Sequence, residues 1–292
     1  MNAIERPGHG SQWWDKSWGP VRGCTRISEG CDNCWAQRML HQYDKPTAVT
    51  LHPECLDAPL HWRKPRCIFV CSMSDLFHED VPAAYSSRVL KVAEACPQHR
   101  FIYLTKRPAK MQTVVSALQY IGKGPGPNVL LGISAENQAR LVERRPYLRD
   151  TPCATRVLSL EPLLGPMDLA STLGLVWEKS ADTWMPSYQA KGPFPDCVIV
   201  GGESGPGARE CRVEWIADIV RQCVAAGVPV FVKQLGSWWA KRFGFTKRGH
   251  SKGQCPEDWP RELWAPALGM RDLYVDENPL RQFPPVLRGG AE

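Results

Sequence analysis

Three cysteines fall within eleven positions in the stretch GCTRISEGCDNCWAQ, residues 23–37. Cys24, Cys31 and Cys34 follow a C-x6-C-x2-C spacing. A disulfide uses two thiols and a closed structural zinc site uses four ligands, so a set of three leaves something open. Three chemistries answer to it. Zinc would draw a fourth ligand from His41, Cys55 or His52, although no second C-x-x-C follows at zinc-ribbon spacing. A redox pair would use the C-x-x-C of Cys31 and Cys34. An iron–sulfur cluster takes thiolate ligands, and a 4Fe–4S cube held by three of them leaves one iron with a vacant position for a small molecule.

A second group of chemically capable residues closes a series of short apolar runs. RCIFVCSMSD (66–75) ends in Ser72, Ser74 and Asp75. RFIYLTKRP (100–108) ends in Lys106 and Arg107, and NVLLGISAEN (128–137) in Ser134, Glu136 and Asn137. RVLSLEPLLG (156–165) ends near Glu161, DCVIVGGESGPG (196–207) in Gly201, Gly202 and Glu203, and VPVFVKQLGS (228–237) in Lys233 and Gln234. Turn residues alone would be Gly, Asn and Asp. Repeated Lys, Glu, Arg and Gln instead point to a polar pocket. GGESGPG lets backbone approach a ligand closely, but it is neither a G-x-x-x-x-G-K-S/T loop nor a G-x-G-x-x-G fingerprint.

The elements that must position these groups follow from the same runs. Continuous apolar runs suit strands buried on both faces of a parallel sheet. Between them lie helix-like stretches. PAAYSSRVLKVAEAC (82–96) gathers Val89, Val92 and Ala93 on one face, RVEWIADIVRQCVAAG (212–227) is amphipathic, and NQARLVERRPYL (137–148) is expected to end or kink at Pro146. A further strand is expected at about 17–23, before the cysteines. The sum is an α/β fold, a partial or complete (β/α) TIM-like barrel of about six to seven βα units spanning residues 1–236. A closed or nearly closed barrel is preferred over an open doubly wound sheet. Residues 174–195 read as a loop or lid insertion, and 237–292 as a basic, aromatic C-terminal extension packed on the barrel.

Composition narrows the class. The chain has 292 residues, 43% hydrophobic, enough for one large domain. No run approaches the length of about 18 apolar residues that a membrane helix needs, and the start has no apolar signal core, so a cytoplasmic protein with no membrane partner is expected. There the twelve cysteines stay reduced, and those outside the cluster read as small buried hydrophobes. A net charge of +6 favours phosphate-rich partners.

The chain resembles the radical S-adenosylmethionine superfamily, in which three cysteines follow the first strand of a (βα) barrel. The superfamily spacing is usually C-x3-C-x2-C with an aromatic before the last cysteine; here the spacing is wider, Asn33 precedes Cys34 and Trp35 follows it. More closely, VRGCTRISEGCDNCWAQRM, LHWRKPRCIFVCSMSDLFHEDVP, LTKRP, LGISAEN, LSLEPLLGPMDL and VIVGGESGPGAR resemble a phage-associated three-cysteine family found in phages and bacteria, in order over about residues 12–240.

The resemblance implies that Cys24, Cys31 and Cys34 hold a 4Fe–4S cluster whose open iron takes S-adenosylmethionine. Reductive cleavage would then give a 5′-deoxyadenosyl radical, with flavodoxin or ferredoxin as electron donor. It further implies that Ser72, Ser74 and Asp75 meet the methionyl amino group, and that Lys106 or Arg107 meets its carboxylate. Ser134, Glu136 and Asn137 would meet ribose hydroxyls, Gly201, Gly202 and Glu203 adenine or substrate, and Glu161 substrate. Glu161 and Glu203 are the catalytic candidates.

For substrate, the stretch GSWWAKRFGFTKRGHSKG (236–253) interleaves Trp238 and Trp239 with Lys241, Arg242, Lys247 and Arg248. Aromatics stack on bases and cations meet phosphates, so nucleic acid, DNA first, is the expected partner. A solvated basic tail with a few packing aromatics has the same composition. In the phage setting, in host cytoplasm, the expected reaction is an isomerisation of a hypermodified thymine side chain. The alternatives are repair of a DNA lesion, modification of a peptide or metabolite, and a zinc-stabilised DNA-binding protein.

Overall fold

Runs such as Arg100–Thr105 are strands because both of their faces are buried. Phe101 and Tyr103 pack into the larger apolar cluster with the helices, while Ile102 and Leu104 point to a second, smaller cluster on the opposite face. The computed structural model describes residues 14–180, 183–188, 194–245, 247, 250–255 and 258–260. In chain order its elements are β1 (Lys16–Trp18), β2 (Val21–Arg22), α1 (Trp35–Gln42), β3 (Thr50–Leu51), β4 (Cys67–Val70), α2 (Ala83–Glu94), β5 (Arg100–Thr105), α3 (Pro108–Tyr120), β6 (Val129–Ser134), α4 (Gln138–Asp150) and β7 (Thr155–Leu160). They continue as α5 (Ala170–Leu173), β8 (Leu175–Ser180), β9 (Thr183–Tyr188), β10 (Cys197–Gly201), α6 (Val213–Ala225), β11 (Val230–Gln234) and α7 (Ser237–Arg242).

Seven strands form one sheet in the order β1-β4-β5-β6-β7-β10-β11, every neighbouring pair parallel. The order never reverses. Right-handed crossovers that always step the same way put every connecting helix on one face. The sheet therefore curls away from the helices, giving a half-barrel with a concave inner face. β1 and β11 do not pair with each other, so of the partial or complete barrel expected the described residues form an open half-barrel.

The inner face changes character along its length. Its lower part is apolar: Cys67, Phe69, Ile102, Leu130, Val157, Ile199 and Phe231, with the Trp14 ring edge-on to Phe69 at 5.2 Å. Alternation along the strands then brings Ser134, Ser159, Glu161, Gly201 and Lys233 to the same face at the C-terminal ends. Gly132 marks the crossover. A Cβ there would lie 2.6 Å from both Leu104 Cδ2 and the Val157 carbonyl, so only glycine lets β5 and β7 close around β6.

Three local expectations are corrected. The strand expected at about 17–23 is two pieces, because Gly19-Pro20 interrupts it; β2 instead pairs antiparallel with β3, outside the main sheet. Helix α4 runs through Pro146 to Asp150. The carbonyl that proline leaves unpaired belongs to Val142, which faces solvent and is 57% exposed, so water takes the place of the lost donor. The insertion expected as a loop contains an antiparallel β8–β9 hairpin separate from the main sheet. Among the described residues no helix is long and apolar enough to cross a membrane.

Gly132→Ala should overpack the inner face by about 1–3 kcal/mol. The urea midpoint should fall accordingly; an unchanged midpoint would show that the curl leaves more room than described.

Candidate functional site

The cysteine loop lies across the C-terminal ends of the strands, and the segments that follow four of them grip it. After β6, Glu136 Oε1 accepts from the Gly30 N–H at 3.3 Å, while Asn137 and Arg140 donate to the Glu29 carboxylate at 2.6 and 3.0 Å. After β10, Glu203 accepts from Asn33 Nδ2 at 3.0 Å, and Arg38 donates to the carbonyls of Ser204 (2.7 Å) and Pro206. After β5, the Arg107 guanidinium donates to the Thr25 carbonyl at 3.1 Å and its hydroxyl at 3.0 Å. After β4, His78 Nε2 shares a 2.6 Å hydrogen bond with the same hydroxyl. Gly30 has no room for a side chain: a Cβ would stand 2.7 Å from Lys106 Nζ and 2.9 Å from the Glu136 carboxyl carbon.

The three thiols are half-buried and form no disulfide. Two have a cation beside them: Arg107 Nη1 lies 3.7 Å from Cys24 Sγ, and Lys106 Nζ lies 3.8 Å from Cys31 Sγ. Their protonation differs. Burial and then the Asp75 carboxylate push the Cys24 thiol up to about 11, against the pull of Arg107. Burial also raises Cys31, but the Lys106 ammonium and hydrogen bonds from residues 27 and 28 outweigh it and hold that thiol below its ordinary value. A single zinc ion, with bonds of about 2.3 Å to sulfur, would draw thiolates to roughly 4 Å of one another. Among the described residues, the metal-ligating group gathered within 4.8 Å is His250, Cys255 and Asp258; the cysteine trio stands wider. Of the other nine cysteines, Cys67, Cys71, Cys96, Cys197, Cys211 and Cys223 are buried, as expected of small hydrophobes, while Cys55, Cys153 and Cys255 are half-buried.

The strand-end residues divide into those that hold the site together and those that face inward. Asp75 is buried and accepts from Thr105 Oγ1 (2.8 Å), Lys106 N (3.1 Å) and Phe77 N (3.0 Å), with Arg107 at 3.4 Å. Ser74 donates to the Val21 carbonyl at 2.6 Å, and Ser72 to Ser17 Oγ at 3.2 Å. Glu136 is fully buried between Arg144 (2.9 Å) and Lys106 (3.9 Å). Asn137 caps α4 by accepting from Arg140 N. Each of these side chains has a protein partner, Ser72 only through an exposed bond to Ser17. Glu203 is likewise partnered: Arg209 grips both of its oxygens, at 2.7 and 3.1 Å. It is a clamp on the cysteine loop.

Facing inward are Ser134, Gly201, Glu161 and Lys233. Lys233 Nζ is 3.1 Å from Glu161 Oε1, and Ser159 Oγ donates to the other oxygen at 3.3 Å. Gly201 makes room for that carboxylate, since a Cβ there would stand 2.8 Å from Glu161 Oε1. At Gly202 the backbone passes so close to Leu235 that a Cβ would meet its carbonyl at 2.3 Å. Sequence reasoning placed Lys233 at a strand end without choosing it, and it missed Gly30, His78, Arg144 and Arg209. Only Arg209 had a local signal, directly after the glycine-rich loop.

On the flank, Trp238, Arg242, Arg212 and Arg221 line a groove of about 600 Å3 between α6 and α7, with Glu210 and Glu214 in the same lining, and Lys241 joins Trp238 and Arg242 around a smaller hollow of about 400 Å3. Trp239 is a correction: it is buried and stacked on Phe245 at 5.2 Å, so its ring is not open to a base. Lys247 is exposed. Arg248 lies outside the described residues.

A family model described as "Protein of unknown function (DUF5131)" matches residues 10–264. No curated protein and no solved structure matches the chain.

The clamps set a pH dependence. Burial raises the Glu203 carboxyl, but hydrogen bonds from Arg209 and Asn33 outweigh it. Burial raises Glu136 too, and the charges of Lys106 and Arg144 with the Gly30 N–H outweigh it. Both folded pKa values therefore lie below the ordinary 4.5. Their stabilisation is present above 4.5 and is lost as pH falls through the depressed folded values. Urea midpoints should fall with pH in that acid window, and Glu136→Gln with Glu203→Gln should flatten the fall. Arg144→Ala, which strips the buried carboxylate of its closest partner, should cost about 3–5 kcal/mol at neutral pH. A cost below 1 kcal/mol there would remove Glu136 as the anchor.

Proposed function

The chain belongs to the DUF5131 family, and we propose that it is a radical S-adenosylmethionine enzyme that modifies a base in DNA. Cys24, Cys31 and Cys34 would hold a 4Fe–4S cluster, and S-adenosylmethionine would be its co-substrate. The observation that carries the reading is the position of the cysteine loop. Three thiols without a fourth cysteine in the loop lie over the C-terminal mouth of a parallel half-barrel, where (βα) folds place their chemistry. The donor set fits such a group: thiolates are the ligands cluster iron takes, and Lys106 and Arg107 stand where they offset the negative charge of two of them. When bound and reduced, a cluster of this kind supplies the electron that splits the sulfonium into methionine and a 5′-deoxyadenosyl radical, which removes hydrogen from an unactivated carbon.

The chain's own residues position and shield. Arg107, fixed by Asp75 and Glu79, holds Thr25 and keeps a charge beside Cys24. Lys106 has Cys31 and Glu136 near its ammonium, each more than 3.5 Å away, and so retains donor capacity for a ligand carboxylate. Ser134 faces the inner wall within reach of ribose hydroxyls. Glu161 and Lys233 form a polar pair on the inner face that exchanges its mutual contact for substrate, Glu161 accepting and Lys233 donating. The apolar floor below excludes water from the reacting atoms.

For substrate, the hollow at Trp238, Lys241 and Arg242 offers a ring and cations on the same side of α7. The reaction we favour moves a carbon–nitrogen attachment to carbon–carbon on a hypermodified thymine, a step with no easy polar route. A flavodoxin or ferredoxin in the cytoplasm would deliver the electron.

Anaerobically reconstituted protein should be brown, contain iron and release 5′-deoxyadenosine when given reductant and S-adenosylmethionine. Cys24→Ala, Cys31→Ala or Cys34→Ala should each abolish both signals, and Cys55→Ala and Cys71→Ala should leave the iron in place. Protein without iron, or equal dependence on Cys55 or Cys71, refutes the ligand assignment. Lys241→Ala and Arg242→Ala should each lower the slope of log affinity for DNA against log salt by about 0.7–0.9. Unchanged slopes would remove the hollow as a DNA contact.

A further inference from the structure

Past α7 the chain folds back over the end of β11. The Leu235 N–H donates to the Gly253 carbonyl at 2.9 Å, the Gly236 N–H donates to the Lys252 carbonyl at 2.9 Å, and the Trp259 indole donates to Gly253 at 2.9 Å. Gly253 has a positive φ of 61° and sits against Leu235 and Trp239, with 3.1 Å left for a Cβ on either side. The described residues of this strap are turns and bends, with Asp258 in a 3-10 turn, and its deep apolar anchor is Trp259. Backbone hydrogen bonds at a surface hold such a segment weakly. Three residues of the strap nevertheless converge. A nitrogen of His250, the sulfur of Cys255 and a carboxylate oxygen of Asp258 all lie within 4.8 Å of one another. His250 Nδ1 and Asp258 Oδ2 are 2.5 Å apart, and all three residues are half-buried.

We propose that His250, Cys255 and Asp258 bind one zinc ion, as a clasp that closes the strap. The donors are of the three types zinc takes, at bond lengths of about 2.3 Å to sulfur and about 2.0–2.2 Å to nitrogen and oxygen. Separations under 4.8 Å are within what a small side-chain adjustment closes around one ion. The protonic balance is simple. Cys255 gives up its thiol proton to solvent, His250 carries its ring proton on Nε2 and so frees Nδ1, and the hydrogen bond between His250 and Asp258 is replaced by two bonds to the metal. Three protein ligands leave a fourth position for water or for a further side chain. Through Lys252 and Gly253 the clasp would fix Leu235, Gly236 and Trp239, and with them the start of α7 and the hollow at Trp238, Lys241 and Arg242. The site shares no ligand with the cysteine loop, so it stands whether or not that loop holds a cluster.

Cobalt is the probe, because a thiolate on Co2+ absorbs in the near ultraviolet and zinc is silent. The full chain carrying Cys24→Ser, Cys31→Ser and Cys34→Ser should take up one cobalt with a thiolate band, and added zinc should bleach it. Adding Cys255→Ser should remove the band. In the chain with its cysteine loop intact, bound zinc measured by elemental analysis should fall at least tenfold in Cys255→Ser and in His250→Ala. A chelator should lower the melting temperature of the parent chain but not of Cys255→Ser. A cobalt spectrum without a thiolate band, zinc content unchanged by Cys255→Ser, or an equal chelator effect on both chains would overturn the proposal and leave a plain histidine–aspartate ion pair. If the triple variant does not fold, the zinc and chelator measurements decide alone.

Discussion

A carboxylate with no access to water, Glu136, ties the molecule's upper end together. It follows β6, pairs with Arg144 from α4, accepts from the backbone of Gly30 in the cysteine loop and faces the ammonium of Lys106 from the end of β5. A buried charge is tolerated only when it is fully partnered, and here its partners come from three separate parts of the chain. The loop that carries Cys31 is therefore seated by the same ionised group that orients the cation beside that thiol. Arg107 plays the matching part at Cys24, held by Asp75 and Glu79 while it grips Thr25. The loop has a 3-10 turn at Glu29–Cys31 and otherwise little structure of its own between residues 23 and 34. Its shape comes from what the strand ends hold out to it.

That arrangement explains which features were readable from the chain and which were not. The apolar runs declared themselves because a strand buried on both faces needs no periodicity, and their polar ends declared the mouth of the sheet. The cysteine spacing is equally local. The identity of the partners is not. Glu136 and Gly30 are 106 positions apart, and Asn33 and Glu203 are 170 apart. A glutamate at a strand end looks the same whether it is free for a ligand or gripped by an arginine. Glu203, Asn137 and Asp75 read the same from sequence, and the structure adds the protein partners that each has. Arg144 sits in a helix so polar that nothing marks it as the one arginine turned inward. Likewise Trp239 and Trp238 are adjacent and of one type, and only the helix phase of α7 decides that the first is core and the second half-buried.

Local signals also failed where a neighbouring context absorbed them. Pro146 is a helix breaker by type, yet the carbonyl it deprives faces water, and the helix continues. The glycine–proline pair at residues 19 and 20 did the reverse, dividing a run that composition alone would join and sending its second half to pair with β3.

The sheet has a seam. Its first strand is only three residues long, the strap crosses just past the tip of its last, and among the described residues these two edge strands do not pair. A sealed cylinder receives guests through its rim alone, end first. A cylinder slit down one side admits something long laid across it, with both ends trailing outside, and lets a single protruding unit dip toward the interior without the rest being threaded.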